Sequence, residues 1–160
     1  MEMENGAYAH ALRLLTVRPR SAADLRRRLK QKKYPHAQID AAIARCCELD
    51  YINDPRTAHE RTRALMRNGK VGARVRQQLF KEGFNEQDIE SAIEKCMGEY
   101  DEREILAQVF AHRFGERNID LHDMRQRRRV VDYLQRRGFS LNKILEHIRE
   151  RLKDLHADHE

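Results

Sequence analysis

One pattern of apolar residues occurs three times along this 160-residue chain, and it constrains the fold more than any other feature. Successive apolar positions within a copy lie four or five residues apart, and the copies are offset by 50 and then 55 residues. A repeat of this period indicates one supersecondary unit used three times, whose neighbours stack to complete each core. The three sets are Leu25, Leu29, Tyr34, Ile39 and Ile43; Val75, Leu79, Phe84, Ile89 and Ile93; and Val130, Leu134, Phe139, Ile144 and Ile148.

The spacing within each copy is helical, so the repeat predicts an all-α fold. Each copy is expected to contain three helices in a helix-turn-helix-like arrangement, and the copies are expected to stack into an elongated, curved molecule. No alternation typical of β-strands and no linker rich in Gly and Ser interrupts the pattern. The predicted modules are residues 1–53, 54–100 and 101–160.

Capping residues indicate where several of these helices begin. Ser21, with an acidic residue three positions later, is predicted to cap the second helix of the first module. Asp54 precedes Pro55, a pattern that predicts an N-cap followed by proline at the first helical position of the second module. Asn85 and Ser140 occupy equivalent places before the third helices of the later modules, which supports the alignment independently of the apolar residues.

The charge pattern favours an anionic partner. The net charge is +6, the isoelectric point is near 9.4, and this balance attracts polyanions or acidic protein surfaces. A solvated helix face explains any one basic run, whereas recurrence on the second helices of all three modules favours a basic face that binds a partner. The candidate contact residues are Arg26, Arg28, Arg74, Arg76, Lys81, Arg127 and Arg128.

No arrangement of catalytic residues is evident in the sequence. It contains neither the glycine-rich loop that binds nucleotide phosphates nor the nucleophile elbow of hydrolases. Cys46 and Cys47 are adjacent, and adjacent helical residues diverge by about 100°, so this pair does not converge on a metal ion. We expect Cys46, Cys47 and Cys96 to be reduced packing residues, and we expect no enzymatic activity, no cofactor and no metal.

The sequence predicts a cytoplasmic protein without a membrane span. No apolar run approaches the roughly 20 residues needed to cross a bilayer, and the acidic segment Met1–Glu4 has no hydrophobic signal region. Paired helices also suggest sequence-specific DNA binding. We favour this hypothesis less, because arginine runs chiefly contact phosphates, which position a protein on DNA without reading its sequence.

Several segments together resemble the RecX family, the bacterial regulators of the RecA recombinase. Residues 49–58 read LDYINDPRTA and residues 72–84 read GARVRQQLFKEGF, in the order and spacing of the family pattern. The early segment with Ala11, Leu14, Leu15, Arg18, Ser21, Asp24, Leu25 and Leu29 also fits, as does Phe114-Gly115-Glu116. Asp50 stands where the family usually has glycine, Thr57 stands where it has an aromatic residue, and residues 69–72 lack its Gly-Tyr-Gly order.

The resemblance implies a specific role. RecX-like proteins bind the RecA nucleoprotein filament, lie along its helical groove, and inhibit ATP hydrolysis, strand exchange and co-protease activity without chemistry of their own. The expected partners are therefore the RecA filament and the backbone of single- and double-stranded DNA, and the expected state is a monomer. Two other interpretations stay open: a general nucleic-acid-binding repeat protein, and a helical-repeat adaptor for an unrelated acidic protein.

Overall fold

The computed structural model describes residues 4–115 and 119–157, and within those ranges the chain forms nine α-helices and no β-strand. The all-α prediction is confirmed. Met1–Met3 and Glu116 of the segments discussed above lie outside the described residues. The helices are α1 (Glu4–Val17), α2 (Ala22–Gln31), α3 (His36–Glu48), α4 (Asp54–Arg67), α5 (Gly72–Lys81), α6 (Glu86–Met97), α7 (Glu102–Phe114), α8 (Met124–Arg136) and α9 (Leu141–Ala157).

The helices belong to two compact units. The first unit contains α1–α3 together with the start of α4, the end of α5 and most of α6. The second unit contains the remaining parts of α4–α6 together with α7–α9. The division into modules at residues 1–53, 54–100 and 101–160 stays a prediction based on the repeat.

The repeated apolar residues form the core. All fifteen positions are buried except Tyr34 and Ile93, which are partly buried. Tyr34 lies edge-on against the ring of His10, and its hydroxyl is 3.4 Å from His10 Nδ1. This polar contact explains why a tyrosine occupies a position that is phenylalanine in the other two copies, since a buried hydroxyl needs a partner.

Three of the predicted N-caps are confirmed. The Ser21 side chain accepts a hydrogen bond from the backbone N–H of Asp24 at 3.0 Å, at the start of α2. Asn85 Oδ1 accepts from the third residue of its helix at 2.8 Å, and Ser140 Oγ does so at 3.4 Å. These side chains satisfy backbone donors that have no partner within the helix.

The predicted cap at Asp54 is wrong. Asn53 caps α4 instead, because its Oδ1 accepts from the backbone N–H of Arg56 at 3.1 Å. Asp54 is the first residue of α4, and its Oδ1 accepts from the backbone N–H of Ala22 at 2.9 Å. The carboxylate of Asp54 thus satisfies a free donor at the start of α2, a helix more than thirty residues earlier in the chain.

Each unit contains one equivalent contact between neighbouring copies of the repeat. In the first unit, Ser21 Oγ donates to the carbonyl oxygen of Glu82 at 2.5 Å. In the second unit, the backbone N–H of Val71 donates to the carbonyl oxygen of Arg137 at 2.9 Å. Val71 is offset from Ser21 by 50 residues and Arg137 from Glu82 by 55, the offsets of the repeat itself. The turn after one second helix therefore rests on the residue that precedes the second helix of the copy before it, and we call this contact the joint.

The residue after this carbonyl has left-handed backbone geometry in every copy. Gly83 has φ +88° and Gly138 has φ +102°. A Cβ at Gly83 would lie 2.9 Å from Ser21 Oγ, and a Cβ at Gly138 would lie 1.9 Å from the carbonyl oxygen of Val71. Lys33 occupies the equivalent position in the first copy, with φ +62°. The close contacts therefore require glycine at the two joints. Lys33 has the same left-handed backbone geometry although it carries a side chain.

Asp50, which replaces a glycine usual in the RecX pattern, is also left-handed, with φ +56°. Its carboxylate binds the guanidinium of Arg56 and accepts from Asn53 Nδ2 at 3.1 Å. Arg56 Nη2 also donates to the carbonyl oxygen of Asp50 at 3.0 Å. Aspartate tolerates this region better than most residues, and these bonds stabilise it there.

Asp24 gathers three arginines at the start of α2. Its side chain is 4 % exposed and accepts from Arg20 Nη1 at 2.8 Å, from Arg28 Nε at 3.0 Å and from Arg27. Burial by itself raises the pKa of the Asp24 carboxyl, but the hydrogen bonds from Arg28 and Arg20 and the nearby charges outweigh this and lower the pKa below its ordinary value. The buried carboxylate therefore stays charged and holds Arg20, which is itself buried.

Substitution of Leu79 tests the core. Leu79→Ala should lower the free energy of unfolding by about 2–5 kcal/mol, because it leaves a cavity at a fully buried site. Phe80→Ala is the matched control: this neighbouring side chain is 72 % exposed, so its removal should change stability by less than about 0.5 kcal/mol. Urea denaturation followed by circular dichroism measures both, and equal losses would contradict the core assignment.

Substitutions at the left-handed position should change the stability of the protein in opposite directions in the first and second copies of the repeat. Lys33→Gly should raise the free energy of unfolding by about 0.5–1 kcal/mol, because it relieves backbone strain. Gly83→Ala should lower it by more than about 1 kcal/mol, because the new Cβ is strained and lies too close to Ser21. Melting temperatures of the two variants provide the measurement, and a shift of the same sign in both would refute the equivalence.

Asp24→Asn should lower the free energy of unfolding by about 3 kcal/mol at neutral pH, because it leaves the charge of Arg20 buried without a partner. Since folding lowers the pKa of Asp24, its stabilising effect is present above the unfolded pKa and disappears as the pH falls through the folded pKa. The difference between wild type and variant should therefore shrink below about pH 4.

The control variant is Asp40→Asn, which removes the exposed pair with Arg26 and should lower the free energy of unfolding by less than about 1 kcal/mol. If the difference in stability between wild type and Asp24→Asn did not change with pH, this account of Asp24 would be contradicted.

Candidate nucleic-acid interface

The candidate basic residues lie on the three second helices, and none of them is buried. Arg28 and Arg127 are partly buried and the other five are exposed. Those on α2 belong to the first unit and those on α8 to the second, while α5 contributes to both. The candidates are Arg26 and Arg28 on α2; Arg74, Arg76 and Lys81 on α5; and Arg127 and Arg128 on α8.

The two candidates on α2 are bound to carboxylates of the protein itself. Arg26 pairs with Asp40 of α3, and Arg28 pairs with Asp24. Arg28 therefore stabilises the start of its own helix, and its charge is partly neutralised before any partner binds. The pair of Arg26 with Asp40 joins two helices and is not visible in the sequence pattern, whereas Arg28 and Asp24 lie four residues apart on one helix.

A shallow groove lies along the outer face of α2. The seven candidates do not include two of the cations that line it, Arg27 and Lys30. Their spacing is the signal that could have found them, because residues three and four apart share one face of a helix. The lining residues are Ala23, Arg26, Arg27, Lys30 and Gln31.

The segment that contains α5 has the strongest basic character. Between Glu60 and Glu82 the chain contains no acidic residue and seven basic ones. Glu82 itself is bound by Arg61, whose Nη2 donates to Oε1 at 2.8 Å and whose Nε lies 2.9 Å from Oε2. Gln78 Nε2 adds a hydrogen bond at 2.9 Å. The basic residues are Arg61, Arg63, Arg67, Lys70, Arg74, Arg76 and Lys81.

The charge of Glu82 is therefore held within the protein. Burial raises the pKa of its carboxyl, but the hydrogen bonds from Arg61 and Gln78 outweigh burial and lower the pKa. Glu82 consequently remains ionised and is matched by the Arg61 guanidinium. At the end of α5, Lys81 is therefore exposed beside an acid whose negative charge is already balanced by Arg61.

In the second unit, arginines surround Tyr133 of α8. The guanidinium carbons of Arg113 and Arg137 lie 5.6 and 5.0 Å from the centre of its ring, distances typical of cation–π contacts. Arg137 Nη1 also donates to the carbonyl oxygen of Asn68 at 2.8 Å. Tyr133 and Arg137 line a cleft together with Arg67 and His112. The cleft adds cations that the sequence analysis did not identify as candidates.

The cysteines follow the sequence prediction in two cases and contradict it in one. Cys46 and Cys96 are fully buried, whereas Cys47 is exposed, so the prediction that Cys47 packs in the core is wrong. Adjacent positions on α3 point in different directions, and only Cys46 faces the core. None of the three cysteines is in a disulfide bond, and desolvation raises the pKa of each thiol.

Among the described residues, no group of three or more histidine, cysteine or acidic side chains is placed to hold a metal ion. No helix in the described part of the chain is long and apolar enough to cross a bilayer. What the surface offers is a set of guanidinium and ammonium groups on helices, suited to phosphate contacts that position a partner without reading its sequence.

A family model described as RecX, first three-helix domain, matches residues 7–46. Proteins named regulatory protein RecX are similar over most of their length. The one from Syntrophotalea carbinolica is 37 % identical over 141 residues, which cover 88 % of this chain and 92 % of that protein. The one from Trichlorobacter lovleyi is 34 % identical, with 82 % and 86 % covered.

Solved structures share the fold. A crystal structure of regulatory protein RecX superposes with a TM-score of 0.73 at 23 % identity, covering 92 % of this chain and 73 % of that one. The crystal structure of RecX from Lactobacillus salivarius gives 0.72 at 22 % identity, covering 95 % and 97 %. Given this fold, and identity above 30 % over more than four fifths of its length, the chain belongs to the RecX family.

Proposed function

We propose that this protein binds the RecA nucleoprotein filament in the cytoplasm and inhibits its recombinase, ATPase and co-protease activities. Through this inhibition it modulates homologous recombination, DNA repair and the SOS response. Similarity to RecX proteins across most of the chain is the observation that carries the proposal. The protein acts as a monomer by binding, without a catalytic step of its own.

The distribution of charge supports a filament that contains DNA as the partner. On α2, Arg26 and Arg28 are already paired with carboxylates of the protein. On α5, the residues from Gly72 to Lys81 include three exposed cations and no acid. A helix with exposed cations and no acid of its own attracts a polyanion, and α5 is the helix that we assign to the DNA backbone.

The direct test is a RecA ATPase assay on single-stranded DNA, with this protein added well below one copy per recombinase. Inhibition under these conditions would support a filament regulator, because coating of the DNA needs far more protein. Inhibition only at amounts that saturate the DNA would instead favour the second candidate function, a general nucleic-acid-binding protein. The acid-free basic segment around α5 is the observation that keeps this second candidate open.

The double variant Arg74→Glu, Arg76→Glu should weaken inhibition of the filament, because both side chains are exposed on α5. If each contacts a phosphate, the salt dependence of DNA binding should lose about two units of slope. The free energy of unfolding should change by less than about 1 kcal/mol, since exposed charges contribute little to stability.

The matched control is Arg149→Glu, Lys153→Glu. It makes the same change in net charge at exposed positions of α9 and should leave inhibition nearly unchanged. Titrations of ATPase activity and of DNA binding at several salt concentrations compare the two double variants. If both double variants weakened inhibition equally, net charge alone would explain the effect. If the α5 variant inhibited as well as the wild type, the inhibitory surface would lie elsewhere.

A further inference from the structure

Phe80 is an aromatic side chain on the outside of the protein. It is 72 % exposed, whereas the other four phenylalanines are at most 8 % exposed. Isolated exposed apolar residues are common on protein surfaces and need no explanation by themselves. Phe80 differs because of its surroundings: it lies on α5, within the acid-free segment that carries seven cations.

The repeat shows which face of the helix Phe80 occupies. Counting back 50 residues places Phe80 at the position of Lys30, which lines the basic groove on α2. Arg76, one turn earlier on α5, corresponds to Arg26 of the same groove. In the middle copy, therefore, an aromatic ring stands on the outer face that is lined by cations in the first copy.

The joint brings this end of α5 next to the groove on α2. Glu82 follows Lys81, and its carbonyl oxygen accepts from Ser21 Oγ. A Cβ at Gly83 would lie only 3.1 Å from the Cβ of Ala23, one of the residues that line the groove. The chain therefore passes within van der Waals contact of the groove three residues after Phe80.

The charges around Phe80 favour a polyanion over an apolar protein pocket. Lys81 is the next residue and Arg76 lies one turn away, and both are exposed. The nearest acid along the chain, Glu82, is bound by Arg61. An exposed ring between exposed cations is the arrangement by which proteins bind single-stranded nucleic acid, with bases stacked on the ring and phosphates on the cations.

We propose that Phe80 stacks on an unpaired base of single-stranded DNA while Lys81 contacts an adjoining phosphate. Any base offers a π-face, so the contact has no strong sequence preference. In duplex DNA the bases are stacked on one another, and the ring has no face to meet. Phe80 thus gives the protein a preference for single strands. This inference goes beyond the proposed function, because it concerns naked DNA and does not require RecA.

The absence of tryptophan from the chain permits a direct optical test. Phe80→Trp introduces a single tryptophan at the proposed contact, and Val17→Trp introduces one at a position of the same unit that is 78 % exposed. On titration with oligo-dT, emission from Phe80→Trp should be quenched and should saturate together with binding measured by anisotropy of labelled DNA. Emission from Val17→Trp should change little, and duplex DNA should quench neither variant.

Affinity supplies a second readout. Phe80→Ala should weaken binding to oligo-dT by about 5- to 150-fold, the factor that corresponds to one stacked base. Binding to duplex DNA should change by less than about twofold, since only phosphate contacts remain there. Phe80→Tyr should retain most of the affinity for oligo-dT, whereas Phe80→Leu, which is apolar but has no ring, should not.

Three outcomes would overturn the stacking contact. They are binding of oligo-dT without quenching of Phe80→Trp, equal quenching by duplex DNA, and a change in emission with RecA alone in the absence of DNA. The last outcome would assign Phe80 to a protein partner. The RecA ATPase assay uses the wild-type protein and does not depend on the tryptophan variants. Failure of the regulator proposal would therefore leave the fluorescence results valid, and failure of the stacking proposal would leave the ATPase results valid.

Discussion

The structure depends on the joint, in which the turn after one second helix rests on the residue before the second helix of the preceding copy. A helix start has backbone donors without partners, and a turn has carbonyl oxygens without partners. The hydroxyl of Ser21 donates to the carbonyl oxygen of Glu82, and the backbone N–H of Val71 donates to that of Arg137, so each joint satisfies the carbonyl of a turn. The close approach leaves no room for a side chain at Gly83 or Gly138. The same backbone geometry therefore connects copies of the repeat in both units.

The internal ion pairs divide the many basic residues into two groups. Asp24 binds Arg20, Arg27 and Arg28, and Glu82 binds Arg61, so these cations stabilise the fold around the joint of the first unit. The cations of α5 are exposed and lie in a stretch of sequence that contains no acid. Net charge by itself does not distinguish the two groups. The distinction matters for recognition, because a guanidinium already bound to a carboxylate gains less from a phosphate.

Phosphate contacts and base contacts contribute differently to recognition of DNA. Phosphate contacts supply affinity that falls with salt and is equal for any sequence and nearly any strand type. An exposed ring adds a term that depends on whether bases are unpaired. A helix that carries Arg74, Arg76, Phe80 and Lys81 offers both terms within ten residues. This combination suits the DNA-containing filament that we propose as the partner.

The sequence by itself determined the helices, the core positions and three of the four predicted caps, because these depend on local spacing and on hydrogen bonds within a few residues. Only the tertiary structure decided the other features. Asn53 caps α4 because the fold places Asp54 against Ala22. Arg61 pairs with an acid 21 residues away, and Phe80 remains uncovered. Such contacts join residues distant along the chain, and helical periodicity fixes which face is buried but not what the exposed face meets.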